Sequence, residues 1–203
     1  MLTHNIDEAI KTTMDPRFTL GEMITNQGGH SIVRHACSQG DCNYIAKIIN
    51  GDRDNILNEL LMYKHMSEVG LGPIIYDISL SDTDGLQSGT VIMKRYDGTL
   101  SDLIFLWQKD KNIDMTSILE SVHRLVEQIH KLGIIHGDLN PNNILYTKDR
   151  MLIVTDFGNS VMSDSKELRD IDRKSLSKIM QGCQQIIGGE YYESADDFMM
   201  EWS

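Results

Sequence analysis

The chain has 203 residues, of which 40% are apolar and 24% are charged, a balance that is typical of soluble globular proteins. This length suffices for one compact core or two small lobes, so we expect a single functional unit over residues 1–203. The net charge of -11 argues against direct binding to nucleic acid, which depends on Lys and Arg. It fits a basic protein partner, or it serves only solubility.

The N-terminus lacks a basic and apolar leader, and no apolar run approaches the ~20 residues that a bilayer requires. We therefore expect a cytoplasmic protein without a membrane span. The three cysteines, Cys37, Cys42 and Cys183, have no CxxC spacing, so the sequence predicts neither a disulfide framework nor a closed zinc site. His35 lies near two of them, but the spacing fits no common zinc module.

The N-terminal half predicts an antiparallel meander with one helix beside it. Strand-like segments separated by turn-rich sequence lie at 18–24, 31–36 and 43–49. Residues 55–66 show helical periodicity, and Gly70 to Pro73 end that helix. Two further strands, 73–80 and 90–96, flank a polar loop, and we place the lobe boundary near Asp97–Gly98.

The C-terminal half predicts mainly helix. A helix restarts near Ser101, and apolar residues from Ile118 to Leu132 then recur at helical steps up to Gly133. A short strand at 151–155 precedes a last helix over 168–186. The pattern indicates an α+β fold, with a small antiparallel sheet and one helix over about residues 15–97 and a reduced helical lobe over 98–203.

The most specific feature is His136-Gly137-Asp138, with Asn143 five residues after Asp138 and Asp156-Phe157-Gly158 further on. This order and spacing resemble the catalytic loop and metal-binding motif of protein kinases, H-R-D-x-x-x-x-N followed by D-F-G. The resemblance implies that Asp138 accepts the proton of a substrate hydroxyl. It also implies that Asn143 and Asp156 coordinate the Mg²⁺ ions bound with ATP. Each piece alone would be an ordinary turn, helix cap or strand end.

Upstream, the strand with Lys47 resembles the kinase strand that carries the ATP-binding lysine, and Glu59 resembles its ion-pair partner on the neighbouring helix. Twelve residues between them is a short spacing for the family, so Glu68 is the reserve candidate. Gly28 and Gly29 are what remains of a glycine-rich phosphate loop. The resemblance also implies adenine contacts from Val33, Ala46, Met93 and Leu145, with a hinge at Lys94 to Tyr96.

The sequence departs from the family pattern at several positions. Gly137 replaces the arginine that often receives a phosphorylated activation loop, and no A-P-E follows D-F-G, so we expect no activation by loop phosphorylation. Asn140 replaces a lysine, which removes a positive charge near the transferred phosphoryl group. Asp172 lies in a segment that resembles the helix whose aspartate braces the catalytic loop.

The small size and the HGD loop are similar to minimal atypical kinases, namely the KEOPS-complex kinase, the RIO kinases and stripped-down viral or bacterial forms. The resemblance implies an ATP- and magnesium-dependent serine/threonine protein kinase with a protein substrate and a regulatory protein partner. Three alternatives remain. They are a small-molecule kinase of the aminoglycoside or choline type, a partner-dependent ATPase, and a non-catalytic binding module.

Overall fold

The computed structural model describes residues 10–27, 31–83, 85–110, 113–149 and 151–187. The chain divides into two compact units, residues 1–95 and 96–203, and each is described by itself. Within the described ranges, no helix combines the length and apolar character that a membrane crossing requires.

The first unit is a five-stranded antiparallel sheet with the strand order β1-β2-β3-β5-β4. Its strands are β1 (Phe18–Gln27), β2 (Ser31–Ser38), β3 (Asp41–Asn50), β4 (Ile75–Thr83) and β5 (Leu86–Lys94). The predicted meander is confirmed. The polar loop between the last two strands is shorter than predicted, because both strands extend into it. Ser81 pairs with Ser88, and their hydroxyl oxygens lie 2.9 Å apart.

One helix, α1 (Arg53–Glu68), packs on this sheet. The Asp52 carboxylate caps its first turn by accepting a hydrogen bond from the Asn55 amide. Ile56 and Leu60 are fully buried, and both lie against Gly89 of β5. A Cβ at Gly89 would lie 2.6 Å from Ile56 Cγ2. The glycine therefore lets the helix approach the sheet closely.

The other face of the sheet carries a separate buried cluster of Phe18, Ala36, Ala46 and Ile92, with Met14 and Tyr44 packed against it. The segment before β1 is tied to this unit by Lys11 and Asp77, whose charged atoms lie 2.7 Å apart. Asp77 also accepts a hydrogen bond from the Asp15 amide. Both faces of the sheet are therefore partly covered.

The sequence predicted no disulfide framework, but the structure has one local disulfide. Cys37 near the end of β2 is bonded to Cys42 near the start of β3. The hairpin between them turns through Gln39 and Gly40, both at positive φ, which brings the two cysteines face to face. An odd number of cysteines does not exclude a local pair of this kind across a tight turn. Cys183 is free and buried, and burial raises the pKa of its thiol to about 12.

The described part of the second unit has three helices, α2 (Leu100–Lys109), α3 (Met115–Lys131) and α4 (Lys166–Ile187). Short strands connect them: β6 (Gly98–Thr99), β7 (Ile134–Ile135), β8 (Ile144–Tyr146), β9 (Leu152–Val154) and β10 (Val161–Met162). The amphipathic pattern of α3 is confirmed up to Ile129, which is buried. Leu132 caps the helix and is 39% exposed.

Candidate functional site

In the first unit, Lys47 and Glu59 form a buried ion pair. Lys47 Nζ lies 2.9 Å from Glu59 Oε1, and the two side chains are only 7% and 8% exposed. Lys47 is in the middle of β3 and Glu59 is on α1, so the packing of α1 on the sheet positions the pair. Lys47 Nζ also lies 5.6 Å from the centre of the Tyr63 ring. Removing either partner would leave a buried charge uncompensated.

Glu68, the reserve candidate, is not part of this pair. Its side chain is 60% exposed and lies 3.7 Å from Lys64 on the same helix. This is a surface ion pair, a kind that contributes little to stability. The short spacing between Lys47 and Glu59 therefore does not prevent their contact.

The sheet separates the residues predicted to contact adenine. Val33 and Val91 are directly opposite Lys47 on the neighbouring strands. Met93 pairs with Ile45, two residues before Lys47. Because side chains alternate along a strand, these residues share the Lys47 face. Ile45 is the β3 residue that occupies this face beside the lysine.

The prediction for Ala46 is wrong. This residue directly precedes Lys47, so it lies on the opposite face of the sheet. It is fully buried in the cluster with Phe18, Ala36 and Ile92. A ligand held against the Lys47 face would be separated from Ala46 by the thickness of the sheet.

The other predicted nucleotide contacts are not brought together by the described structure. Gly28 and Gly29 lie outside the described residues. Tyr96 directly follows the first unit, and Leu145 is in β8, where it pairs with Thr99 and Ile153. Both side chains are half-buried. Their roles therefore stay predictions.

In the second unit, the residues after β7 form a loop held by its own asparagines. Asn143 Nδ2 donates to the Asp138 carbonyl oxygen at 2.9 Å and lies 3.3 Å from the Asp138 carboxylate. The Asn140 side chain accepts hydrogen bonds from the amides of Asn142 and Asn143, which starts a short 3-10 turn at Pro141–Asn143. Asn143 is buried, whereas Asp138 is exposed. The loop thus presents a carboxylate of fixed orientation.

Asp156 is placed beside this loop by strand pairing. The Thr155 amide donates to the Asn143 carbonyl oxygen at 2.9 Å, and Ile144 pairs with Val154. Asp156 then adopts a φ of +66°, a conformation that is unfavourable for a residue with a Cβ and is often found at functional sites. Phe157 is fully buried beside the His136 ring, with the ring centres 5.7 Å apart.

Asp172 of α4 braces the loop, as its position in the sequence predicted. Its carboxylate accepts hydrogen bonds of 2.9 Å from the amides of His136 and Gly137 and from His130 Nε2. Burial alone would raise the pKa of Asp172, but these three donors together hold it below its ordinary value. Two supporting residues of this loop were not predicted from the sequence. His130 binds Asp172, and the Ser160 hydroxyl donates to the His136 carbonyl oxygen at 2.9 Å.

His136 is a structural residue of this loop. Its Nε2 lies 2.9 Å from the Thr155 carbonyl oxygen, and its Nδ1 accepts a hydrogen bond from the Asp138 amide. A carbonyl can only accept, so these contacts fit the neutral imidazole with its proton on Nε2. Burial lowers the pKa of His136, which also favours the neutral form.

The donor set of the second unit suits a hard cation. Asn143 Nδ2 is engaged by Asp138, so Oδ1 is the end of the amide that can coordinate. Asp156 adds a carboxylate, and oxygen ligands of these two kinds are what Mg²⁺ prefers. No cluster of three or more His, Cys, Asp or Glu side chains suited to a metal ion occurs in the described ranges. Mg²⁺ commonly binds through one or two protein oxygen ligands together with substrate phosphates, and a pair of this kind suits that mode.

Most of the chain matches a known protein family. A model of the protein kinase domain matches residues 23–182, which is most of the chain. The chain belongs to the protein kinase family. This confirms the family resemblance and the α+β fold class, while the roles of the individual site residues stay predictions.

The relatives of this kinase are distant. Calcium/calmodulin-dependent protein kinase type 1 of Macrobrachium nipponense is 25% identical over 169 residues, 78% of this chain and 48% of that protein. A serine/threonine-protein kinase of Saccharomyces cerevisiae is 36% identical over 75 residues, 35% of this chain and 8% of that protein. A probable bifunctional tRNA threonylcarbamoyladenosine biosynthesis protein of Methanocorpusculum labreanum is 29% identical over 91 residues, 45% of this chain and 15% of that protein. The chain spans about half the length of the first relative and much less of the others.

Proposed function

We propose that this chain is an ATP- and magnesium-dependent serine/threonine protein kinase that transfers the γ-phosphate to a protein hydroxyl. The observation that carries the proposal is the loop of the second unit, in which Asn143 contacts both the carbonyl and the carboxylate of Asp138. Phosphoryl transfer requires little covalent chemistry from the protein and depends on positioning and charge. A loop that fixes a carboxylate in this way supplies the positioning.

Each site residue has one role in this proposal. Asp138 orients the acceptor hydroxyl and takes its proton, and its exposed carboxylate is accessible to a substrate. Asn143 and Asp156 hold magnesium through oxygen atoms. ATP with magnesium supplies the phosphoryl group and neutralises part of its charge. Lys47 holds ATP phosphate oxygens, and Glu59 keeps the ammonium group in a fixed direction.

The acceptor is the finer part of the proposal. Several similar proteins are named as serine/threonine kinases, which supports Ser or Thr over a small molecule. The small-molecule alternative predicts labelled aminoglycoside-like or choline-like compounds and no labelled protein. The non-catalytic alternative predicts that Asp138→Ala leaves every cellular effect unchanged.

The first test incubates the purified chain with magnesium, ATP labelled on the γ-phosphate and a mixture of proteins. We expect label on protein serine or threonine after acid hydrolysis. Lys47→Ala, Asp138→Asn and Asp156→Asn should each reduce the label by about 100-fold or more, because each removes a group that acts on the transferring phosphoryl.

Matched controls separate catalysis from surface charge. Lys64→Ala removes an exposed lysine of α1, and Asp149→Asn removes an exposed aspartate of the second unit. Both should retain activity within about twofold, since neither residue lies in the proposed site. Equal loss in the site variants and these controls would contradict the proposed roles.

Partner-dependent ATP hydrolysis is the second candidate. It is favoured by the uncharged Asn140, which lies 3.3 Å from the Asp138 carbonyl oxygen where many serine/threonine kinases carry a lysine. Release of free phosphate without labelled protein, abolished by Asp156→Asn, would support this candidate over protein phosphorylation.

A further inference from the structure

Tyr63 is a fully buried aromatic residue of α1 that lies beside Lys47. It follows Glu59 by four residues, which places both side chains on the same face of the helix. Lys47 Nζ lies over the Tyr63 ring, 5.6 Å from its centre. An ammonium group within about 6 Å of a ring centre is attracted by the negative face of the ring. Tyr63 therefore interacts with the charge of Lys47 as well as filling space in the core.

The surroundings of Lys47 strengthen this attraction. The Lys47 side chain is only 7% exposed, and Val91, directly opposite on β5, is fully buried. A contact between a cation and a ring is stronger where water is excluded, because water competes for the cation. Glu59 and Tyr63 thus act on the same shielded ammonium group, one through its carboxylate at 2.9 Å and the other through its ring.

The ring adds something that the carboxylate alone does not provide. A lysine ammonium is a compact charge with three donors on a flexible four-carbon chain, so it can move around a single carboxylate. A second attraction from a buried ring on the same helix restricts this movement. The ring face supplies no oxygen acceptor, so N–H donors of Lys47 remain for the oxygens of a ligand.

We propose that Tyr63 is a positioning residue for ATP, whose ring acts together with Glu59 to hold the Lys47 ammonium where it binds phosphate oxygens. The inference rests on the proposed function, in which Lys47 holds ATP. Tyr63 acts through Lys47, because it is fully buried and has no surface from which to touch a nucleotide. Without the ring, Lys47 samples more directions, and ordering it again reduces the binding energy left for ATP.

The first measurement tests the contact itself and requires no nucleotide. NMR of the full chain with isotope-labelled lysine reports the methylene group next to Nζ, and the Lys47 signal is identified by its loss in Lys47→Ala. An aromatic ring shifts nuclei above its face to lower frequency. We expect this shift in the wild type and in Tyr63→Phe, which keeps the ring, and its loss in Tyr63→Leu. An unchanged Lys47 signal in Tyr63→Leu would overturn the proposal.

The second measurement compares kcat/KM for ATP in the labelling assay. Tyr63→Leu should lower it by about fivefold or more, because leucine fills the core position but has no ring face. Tyr63→Phe should recover most of this loss. Tyr76→Leu is the control, since Tyr76 packs on Tyr44, which belongs to the cluster on the other face of the sheet. It should change kcat/KM by less than about twofold.

A double-mutant cycle separates positioning from a general loss of packing. In the Lys47→Ala variant, Tyr63→Leu should lower the residual kcat/KM by less than about twofold, because the ammonium that the ring holds is gone. Equal losses in the presence and absence of Lys47 would show that Tyr63 only supports the core, and would overturn the proposal while the kinase function stands. Absence of labelling by the wild type would instead overturn the proposed function, and this inference with it.

Discussion

Gly137 has a φ of +80°, and the carbonyl oxygen of Asn159 lies where a side chain would begin. A Cβ built on Gly137 would be 2.4 Å from that oxygen, closer than any real contact of this kind. The amide of Gly137 is also bound by Asp172. Much of the kinase family has arginine at this position of the motif, and the backbone found here excludes it. The glycine is therefore a structural requirement of this loop.

We predict that Gly137→Ala destabilises the protein by about 2–4 kcal/mol, because it combines a left-handed backbone with a steric overlap. Gly133→Ala is the matched control in the same unit. Gly133 has a φ of +71°, but its nearest neighbour to a new Cβ is 3.7 Å away, so only about 1 kcal/mol is expected. Urea unfolding measures both. Equal losses would show that the overlap with Asn159 is relieved by a small backbone shift.

His136 links stability to pH through its two hydrogen bonds. The Asp138 amide N–H donates a hydrogen bond to His136 Nδ1. Protonation of Nδ1 would break this bond and would bring two N–H groups into contact. The folded-state pKa of His136 is below its ordinary value of about 6.5 because the ring is buried. The unfolded chain therefore binds the proton first as the pH falls, and stability rises with pH in the interval between the two pKa values.

We predict that this contribution to stability is fully present above pH ~6.5 and is lost as the pH falls toward the folded-state pKa. The free energy of unfolding changes by at most about 1.4 kcal/mol per pH unit for one titrating group. Denaturant unfolding across this pH range should show a smaller slope in His136→Gln than in the wild type. His123→Gln, which removes a histidine that is 53% exposed, serves as the control. An unchanged slope in His136→Gln would contradict the assignment.

At the scale of elements, the contact of α1 with the sheet sets the position of the ion pair. Ile56 and Leu60 touch β5 at Gly89, and Glu59 on the same helix reaches Lys47 on β3. The same helix thus makes an apolar contact with β5 and a charged contact with β3. We expect a change that lifts α1 from Gly89 to lengthen or redirect the contact between Glu59 and Lys47.

We predict that Gly89→Ala destabilises the first unit by about 1–3 kcal/mol through overpacking, and weakens ATP binding if Lys47 holds the nucleotide as proposed. A second variant, Ile56→Ala, removes the atom that the new Cβ would meet at 2.6 Å. Gly89→Ala should therefore be less destabilising in the Ile56→Ala variant than in the wild type. A double-mutant cycle of urea unfolding measures this difference. Additive effects would show that the two positions do not interact.

Much of this could be predicted from the sequence, because periodicity and short motifs are local signals. The meander, α1, α3 and the order of Lys47, Asp138, Asn143 and Asp156 follow from such signals. Ala46 was predicted to contact adenine because it resembles a motif position beside the lysine. Side chains alternate along a strand, so Ala46 and Lys47 lie on opposite faces of the sheet. The contact of His130 with Asp172 spans 42 residues. Nothing in the local pattern of either segment indicates it.

At the scale of the whole molecule, the charge is the property that bears on substrate choice. The chain carries a net charge of -11. Asp138, which we propose binds the acceptor hydroxyl, adds an exposed carboxylate at the site. Basic peptides should be attracted to such a surface and acidic ones repelled. The simpler interpretation, that the charge serves only solubility, predicts no preference.

We predict that kcat/KM for a basic peptide substrate falls by about fivefold or more as salt rises from 20 to 300 mM, because the screening length shortens from about 20 Å to below 8 Å. The change should lie in KM, with kcat altered much less, since encounter and binding are affected more than transfer. A peptide with the same acceptor and acidic flanks should show no fall. Parallel salt dependence for both peptides would mean that the charge does not select substrates, and the solubility interpretation would stand.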